Sequence, residues 1–590
     1  MFLSFINISP RNCRKIWEKE SSVMARSSAR IIKNPFMSLT PSPRSLTQLF
    51  SVSPPLTSLF SSKKTSPSLS IFILSFLFSF TFLGISIFRF FPSSQDSIHC
   101  SIISPTTSPI SSHPLPSSYS QIILTSLLAG INSDNKIQPR IGGTAMVPLP
   151  VHLVSGNLSE EETEFWKQPD SNGYRPCLDS TIGYRKRSAK ISKEKNRFLV
   201  VVAAGGLNQQ KNQIIDAVVI ARILEAALVL PVLQVNMIWE DESEFPDIFD
   251  VEHFKKTLRA DVRVVSSLPS SHLVAKQTIV TQIPYGVSPF WIRAKFFKQL
   301  NQEGVLVLKG LDSKLSKNLP SDLQKLRCKN FSFQVAFHAL RFSKPILQVG
   351  NQLARRMWIE GPYISLHLRL EKDVWVRTGC RTGLGPKYDQ IITQIQKTQP
   401  QYLTGRVNMS YSQRRLSGLC PLNAFEIARL LKALGAPQSG RFYIAGGEAF
   451  GGSKALEPLA AVFPNLVRKE MLARDGELSP FLNSSSALSA IDYIVSFNSD
   501  IFIPSHGGNM GRALQGHRAY MGHRKSIRPN KRTMLPFFED SSISDEEFSS
   551  IIRSLHNKSM KPEPRKKQRD NDVIAYPVPE CMCRHGSGIF

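Results

Sequence analysis

The sequence predicts an α/β protein with two doubly wound halves that face a central cleft and follow a single transmembrane helix. Short apolar strands ending in glycine alternate with helical patterns over 197–350 and again over 361–535. An uncharged run of 18 residues before Arg89, within 71–91, is long enough to approach a bilayer span. The 590-residue chain is 42% hydrophobic and 20% charged, which excludes a wholly disordered or fibrous protein.

The amino-terminal segments indicate a type II membrane protein. Residues 1–70 hold ten basic and two acidic residues and are predicted to be a disordered cytosolic tail. The stretches 37–70 and 92–120 each contain eleven Ser and five Pro, so a helix over 71–91 has nothing to pack on except lipid. We therefore interpret 71–91 as a signal anchor and 92–196 as a lumenal stem and lead-in. An organelle transit peptide, with Met24 as the start, is the alternative.

Each predicted half begins with a buried parallel strand. In 197–350, the run RFLVVVAAGG (197–206) reads as a strand, Lys211–Leu228 as a helix, and LVLPVL (228–233) as the next strand. In 361–535, strands are predicted at 363–370, 441–447 and the start of 500–520, and a helix at Ser486–Phe497. Residues 541–590 are expected to be a polar, weakly folded tail. The crevice between the halves is the expected ligand site.

Three loops carry groups that suit an anionic ligand. The turn that contains Gly205, Gly206, Leu207 and Asn208 lets backbone approach a ligand at a helix start, although by itself the pattern is more typical of a simple strand–helix turn. His367, Leu368 and Arg369 follow a strand, where alternation places His367 and Arg369 on one face for phosphate or for an internal ion pair with Glu371. The third loop is a possible phosphate cradle made of Ser505, His506, Gly507, Gly508, Asn509 and Met510.

Other chemistries find little support in the sequence. Asp492 precedes the third loop on a helix, where it either accepts hydrogen bonds from a base edge or is simply exposed. The acidic run Trp239–Glu242 is more typical of a surface loop than of a metal site, and no zinc spacing occurs, so no metal is expected. From Ser505 to Arg532 there are seven Lys or Arg and no acid, which is typical of a solvated basic face; no nucleic-acid motif accompanies them.

Taken together, several segments resemble the plant O-fucosyltransferase-like family over about 200–535. They are AGGLNQQKNQIIDAVVIARILEAALVLPVL (203–233), FDVEHF (249–254), HALRF (338–342), HLRLEKDVWVRTGC (367–380), YIAGGEAFGG (443–452), FPNLVRKE (463–470) and the stretch 484–532 around SHGGN. The resemblance implies a GT-B-like pair of Rossmann domains, with donor binding in 361–535. It also implies inverting, metal-independent transfer of fucose from GDP-fucose by a type II protein of the Golgi membrane, with no cofactor.

Within that resemblance, Arg369 and Asn208 are the expected catalytic residues. Arg369 would neutralise the leaving phosphate, Asn208 would orient the acceptor hydroxyl or the phosphate, and the remaining loop residues and Asp492 would bind the donor. The chain departs from the family pattern GGLNQMR, because Gln210 and Lys211 replace Met and Arg. A UDP-rhamnose-dependent rhamnosyltransferase of cell-wall synthesis and a non-catalytic Golgi scaffold are the alternatives. The acceptor, a protein or a cell-wall glycan, is open.

Overall fold

A computed structural model gives the structure of most of the globular body. It describes residues 146, 148–154, 156–169, 174–176, 196–236, 238–259, 261–273, 278–311, 314–315, 335–403, 409–522, 524–559 and 582–584. The predicted tail 1–70, the predicted span 71–91 and most of the predicted stem lie outside these residues. No helix among the described residues is both long and apolar enough to cross a membrane.

The first half is a parallel sheet with helices against it. Its strands are β2 Phe198–Ala203, β3 Ala227–Val229, β4 Val232–Leu233, β5 Val264–Val265, β6 Thr278–Val280 and β7 Val305–Lys309; β1 is Tyr174–Pro176. The strand order is β5-β3-β2-β7-β6, and β4 extends the β3 side of β2. Its helices are α2 Leu207–Leu224, α3 Phe245–Ile248, α4 Val251–Leu258, α5 Ser270–Leu273 and α6 Pro289–Glu303, after α1 Glu160–Trp166; a π-helix covers Val335–Ala339.

The second half is a smaller parallel sheet of order β10-β9-β8-β11. Its strands are β8 Tyr363–His367, β9 Arg441–Ala445, β10 Leu466–Val467 and β11 Ile501–Pro504. The helices are α7 Lys344–Ile359, α8 Lys372–Thr378, α9 Pro386–Thr398, α10 Tyr411–Leu416, α11 Ala424–Ala433, α12 Glu457–Ala460, α13 Lys469–Leu472, α14 Ser485–Asn498, α15 Asn509–Tyr520, α16 Lys531–Glu539 and α17 Asp545–Ser559. Short 3-10 turns cover Pro400–Tyr402, Gly452–Ala455 and Ser479–Phe481.

Side-chain alternation along β8 explains how the halves join. Tyr363 belongs to a core that also holds Leu199 of β2 and Ile491 of α14, whereas Ile364 and Leu366 face a second core on the other side of the sheet. Helices α7 and α14 pack against each other beneath β8, within the first core. One continuous apolar core therefore links the two sheets.

Several boundaries differ from the sequence predictions. Helix α2 begins at Leu207 rather than Lys211, so Asn208 lies in its first turn. Strand β8 ends at His367 rather than at 370, and α7 runs through the predicted domain end at 350. All of α2 except Gln209 is buried, so its polar residues do not mark a solvent-facing side of the helix. The helix prediction relied on the spacing of apolar residues, which starts only at Ile214, and it therefore missed the first turn.

The predicted polar tail 541–590 is wrong for the part the structure describes. Helix α17 buries Phe548 and Ile552 in the core of the second half. A further strand, β12 Met582–Arg584, pairs antiparallel with β1. Asp545, Glu546, Glu547 and Lys558 lie on the exposed side of α17, which is an ordinary amphipathic helix.

Candidate active site

The carboxyl edge of the second sheet brings together two of the three candidate loops. The chain passes from β8 to β9 on one side and returns to β11 on the other side of β8. Ligands of open parallel sheets bind at such a reversal of strand order, outside the carboxyl ends of the strands. Here the reversal lies between the segment after His367 and the turn that begins at Ser505.

Arg369 lies at this reversal and contacts the glycine turn. Its backbone N–H donates to Oγ of Ser505 at 3.1 Å, and the Ser505 N–H donates to the His367 carbonyl at 3.0 Å. A Cβ built on Gly508 would lie 3.9 Å from Nη1 of Arg369. The side chain is 19% exposed, and its guanidinium lies next to the turn rather than out in solvent.

The internal ion pair that the sequence left open does form. Nε of Arg369 lies 3.2 Å from Oε2 of Glu371, and Nη2 lies 3.9 Å from Oδ2 of Asp373. Glu371 also accepts a hydrogen bond from the Gly447 N–H at 3.2 Å, which ties the loop after β9 to the loop after β8. The two carboxylates thus hold the guanidinium in place while Nη1 approaches Gly508.

Burial keeps the two histidines of the site uncharged at neutral pH. His367 is 3% exposed, and burial together with the nearby Arg369 lowers its pKa to about 3. Burial and the Lys531 amine, 3.0 Å from Nδ1, lower the pKa of His506 to about 3 as well. Arg369 therefore supplies the positive charge, and the imidazoles serve as neutral hydrogen-bonding groups. Nδ1 of His367 has no hydrogen-bond partner among the described residues.

The turn after β11 is built as the start of a helix. Gly508 is the N-cap of α15, Asn509 is its first residue, and Met510 is buried in the core that joins the halves. The first N–H groups of a helix have no partner within it and favour an anion. The turn and Arg369 together can bind a phosphate.

Hydrogen bonds hold the glycine loop of the first half, 204–208, in place, and one side-chain oxygen of this loop has no partner among the described residues. Gly205 has φ +87°, a conformation that favours glycine, and the N–H of Gly206 donates to Oε1 of Gln209 at 3.0 Å. Gln213 clamps both backbone groups of Ala204. Asn208 is 7% exposed, and its Oδ1 has no hydrogen-bond partner among the described residues. A buried polar atom of this kind is a place where a ligand hydroxyl can bind.

Asp492 is buried, so the exposed-helix interpretation is wrong. Its Oδ1 accepts from the Tyr443 hydroxyl at 2.7 Å, and its Oδ2 accepts from the Gly446 N–H at 3.2 Å and from Nζ of Lys469 at 3.1 Å. Lys469 also donates to the Gly446 carbonyl at 3.0 Å. These contacts position the loop after β9, and the base-edge role of Asp492 stays a prediction.

The sequence did not indicate Tyr443 or Lys469 as residues that support the site. A buried lysine was not expected from FPNLVRKE, where Lys469 stands among other charges. The available signal was the glycine pair of YIAGG, since two glycines directly after a buried strand need side chains from elsewhere to hold them. No group of three or more His, Cys, Asp or Glu side chains in the described part of the chain is arranged to hold a metal ion.

Comparisons with known proteins agree on one family. Residues 198–521 match the model of the GDP-fucose protein O-fucosyltransferase family. O-fucosyltransferase 37 of Arabidopsis thaliana is 70% identical over 446 residues, which cover 75% of this chain and 79% of that protein. O-fucosyltransferase 20 of the same plant is 58% identical over 423 residues, which cover 72% and 73%.

Solved structures with detectable similarity include POFUT1 in complex with GDP-fucose, at 13% identity and a TM-score of 0.36, covering 57% of this chain and 98% of that one. The family match covers both sheets and each of the three candidate loops. The chain is therefore a glycosyltransferase and belongs to the GDP-fucose protein O-fucosyltransferase family.

Proposed function

We propose that this glycosyltransferase is a GT-B-like, inverting enzyme that transfers fucose from GDP-fucose to a hydroxyl of a protein or glycan acceptor without a metal ion. The approach of Arg369 to Gly508 at the reversal of the second sheet carries the proposal. A guanidinium beside a helix start can neutralise a diphosphate, the task that a divalent cation performs in other transferases. Family membership supports GDP-fucose as the donor.

In this mechanism the leaving diphosphate binds at Arg369 and the Ser505–Asn509 turn. As the bond between the sugar and the diphosphate breaks, negative charge grows on the phosphate oxygen, and the guanidinium and the N–H groups of α15 stabilise it. Oδ1 of Asn208 accepts a hydrogen bond from the acceptor hydroxyl, whose oxygen attacks the opposite face of an oxocarbenium-like sugar. As the new bond between that oxygen and the sugar forms, the hydroxyl proton passes to solvent water, and the diphosphate departs with the electrons of the broken bond. Attack from that face inverts the anomeric centre.

We assign the enzyme to the Golgi membrane, with its body in the lumen. The uncharged run within 71–91 and the ten basic residues before it support this topology. The disulfide between Cys380 and Cys420 supports an oxidising compartment. Location of an epitope-tagged chain by microscopy, with protease protection of the carboxyl terminus in isolated vesicles, tests both parts of the assignment.

Replacing Arg369 tests the mechanism. In the detergent-solubilised full chain with EDTA present, we expect Arg369→Ala to slow hydrolysis of GDP-fucose by about 10²–10³-fold, the loss typical of an oxyanion donor. Arg369→Lys keeps the charge but loses the planar guanidinium, so its rate should lie between those of the wild-type chain and of Arg369→Ala. Arg259→Ala removes an exposed arginine at the end of α4 and serves as the control.

Thermal stabilisation by GDP, GDP-fucose and UDP-rhamnose, measured side by side with EDTA, identifies the donor. We expect the two guanine nucleotides to raise the melting temperature and UDP-rhamnose to leave it unchanged. Stabilisation by UDP-rhamnose alone would show that UDP-rhamnose, not GDP-fucose, is the donor. Stabilisation by none of the three nucleotides would contradict the proposal that the site binds a sugar nucleotide. An Arg369→Ala enzyme with normal turnover would refute the role of the guanidinium.

A further inference from the structure

Trp239 packs its ring on the glycine loop of the first half and leaves 38% of its surface exposed. A Cβ built on Gly206 would lie 2.6 Å from Cζ3 and 3.1 Å from Cη2 of Trp239. Gly206 has an ordinary φ of −76°, so it is the space taken by the indole that requires glycine here. The ring thus occupies the edge of the loop that carries Asn208.

The segment that carries Trp239 is pinned in place. The backbones of Asn236 and Asp241 exchange hydrogen bonds of 2.8 and 3.0 Å, and Oδ1 of Asn236 accepts from the Trp239 N–H at 3.3 Å. Asp241 is buried, and its carboxylate accepts from the Ser486 N–H at 2.6 Å in the first turn of α14. Because α14 belongs to the second half, the segment bridges the two halves and holds its tryptophan against the glycine loop of the first half.

An exposed indole at this position needs an explanation, since tryptophan is usually mostly buried. The ring is flat, rigid and partly in contact with solvent, which are the properties of a stacking surface. Asn208, two residues beyond Gly206, offers a buried oxygen without a partner among the described residues. An apolar face and a hydroxyl-accepting oxygen therefore belong to one loop, and a sugar presents both an apolar C–H face and hydroxyls.

The charges around the ring select the kind of sugar. Glu240 and Glu242 flank Trp239 and are exposed, so they would repel a uronic acid or a sulfated sugar but can accept hydrogen bonds from neutral hydroxyls. A lysine- or arginine-rich peptide would also suit an indole between carboxylates. The loop beneath the ring, 204–210, contains no carboxylate, and Oδ1 of Asn208, which has no hydrogen-bond partner among the described residues, is neutral and so suits a hydroxyl better than such a cationic partner.

We propose that Trp239 is the stacking platform for a sugar ring of the acceptor, and that the acceptor at this site is a neutral glycan. This inference rests on the proposed function, because it places the acceptor beside a donor bound at Arg369. It deepens that function by naming the acceptor class and a positioning residue that the motifs of the sequence did not indicate.

The probes are four neutral tetrasaccharides of glucose, mannose, galactose and xylose, a galacturonic acid tetrasaccharide, and a Ser- and Thr-rich peptide. Binding to the full chain in detergent is measured by saturation-transfer NMR with GDP present. We expect at least one neutral tetrasaccharide to bind, and Trp239→Ala to weaken that binding at least tenfold more than it weakens GDP binding. Trp239→Phe should restore affinity to within about threefold of the wild-type chain, because a phenyl ring still offers a face.

Ile359→Ala is the matched control. Ile359 is another exposed apolar residue, but it precedes β8 and so lies at the amino edge of the second sheet, away from the loops of the site. Ile359→Ala should change neither the affinity for the tetrasaccharide nor the affinity for GDP. Binding of the peptide alone, tighter binding of the acidic tetrasaccharide, or equal affinity of the Trp239→Ala and wild-type chains would overturn the proposal. A wild-type chain that binds no GDP-fucose would instead refute the proposed function, so the two failures are distinguishable.

Discussion

Lys211 buries its amine against aromatic rings. The side chain is 5% exposed, and Nζ lies 4.4 Å from the centre of the Tyr493 ring and 5.2 Å from that of Phe342. Burial lowers the pKa of Lys211 to about 7, from an ordinary value of 10.5. His517 lies nearby, and burial lowers its pKa too, so it remains neutral and adds no charge to the cluster. At neutral pH and below, the folded protein therefore holds a poorly solvated cation.

Replacing this lysine should stabilise the protein in a pH-dependent manner. The unfolded chain keeps its proton up to about pH 10.5 and the folded chain only up to about pH 7, so the free energy of unfolding rises with pH between these values. Lys211→Met removes the charge and should raise the free energy of unfolding by about 1–3 kcal/mol at pH 6.5. The gain should shrink steadily towards pH 9, as measured by urea unfolding at both pH values.

Lys256→Met serves as the control, because Lys256 is exposed on α4 and its removal should have little effect at either pH. If Lys211→Met destabilised the protein equally at pH 6.5 and pH 9, packing of the lysine stem rather than its charge would dominate. The cation–π contacts with Tyr493 and Phe342 offset part of the burial cost, which is why the expected gain is modest.

Individual residues also show what the sequence could not reveal. The basic stretch after Ser505 was expected to form a solvated face, yet Arg518, Arg524 and Lys525 are buried. Arg518 donates to carbonyls that include those of Ser499 at 2.7 Å and Lys525 at 2.8 Å. Most of its partners are backbone carbonyls between the end of α14 and the start of β11. Because every residue type has a carbonyl, composition gives no sign of such a site.

Among the elements, the disulfide between Cys380 and Cys420 supports the glycine turn of the site. It joins the segment after α8 to the segment before α11. The Cys420 carbonyl accepts a hydrogen bond from Nζ of Lys531, which also contacts His506, and the Leu422 N–H donates to the Ser505 carbonyl at 3.3 Å. The segment that carries Cys420 is thus hydrogen-bonded to the Ser505–Asn509 turn in two places, through Lys531 and through Leu422.

Removing the bridge should destabilise the fold and loosen the turn. The two cysteines are 40 residues apart, and opening a loop of that length should lower the free energy of unfolding by about 4 kcal/mol. We expect Cys380→Ser/Cys420→Ser to show this loss in urea unfolding under non-reducing conditions. Calorimetry should also show weaker GDP binding.

The single variants provide the control for the bridge. Cys380→Ser and Cys420→Ser each break the same bond, so each should lose about as much stability as the double variant. If the loss of unfolding free energy in the double variant instead equalled the sum of the losses in the two single variants, the two cysteines would act independently. The bridge would then have no part in holding the turn.

At this scale the strands were more predictable than the helices. The core strands of both sheets are continuous apolar runs, because parallel strands are buried on both faces, and the sequence located them. The start of α2 was missed, since Asn208, Gln210 and Lys211 are buried polar residues inside a helix. The three loops were found from their glycines and charged residues, whereas the supports at Tyr443 and Lys469 come from distant segments.

Taken as a whole, the second half is completed by segments from outside both predicted domains. Phe165 of α1 and Phe548 of α17 are buried in the same core, beside residues of β8 and α11. Backbone carbonyls of Glu164 and Phe165 accept hydrogen bonds of 2.8 and 2.7 Å from Nζ of Lys525, and Arg553 of α17 pairs with Glu161 of α1. Parts of the predicted stem and of the predicted tail therefore belong to the folded core of the second half.

Three phenylalanines in this half test that conclusion. Phe165→Ala and Phe548→Ala should each lower the free energy of unfolding by about 3–5 kcal/mol, since each removes a fully packed ring and leaves a cavity. Phe425→Ala is the control, because Phe425 is 59% exposed on α11, and its loss should change stability by no more than about 0.5 kcal/mol. The measurement is urea unfolding followed by far-UV circular dichroism. If all three variants matched the wild-type stability, α1 and α17 would be attachments to a core that is already complete, and 197–535 alone would account for the fold.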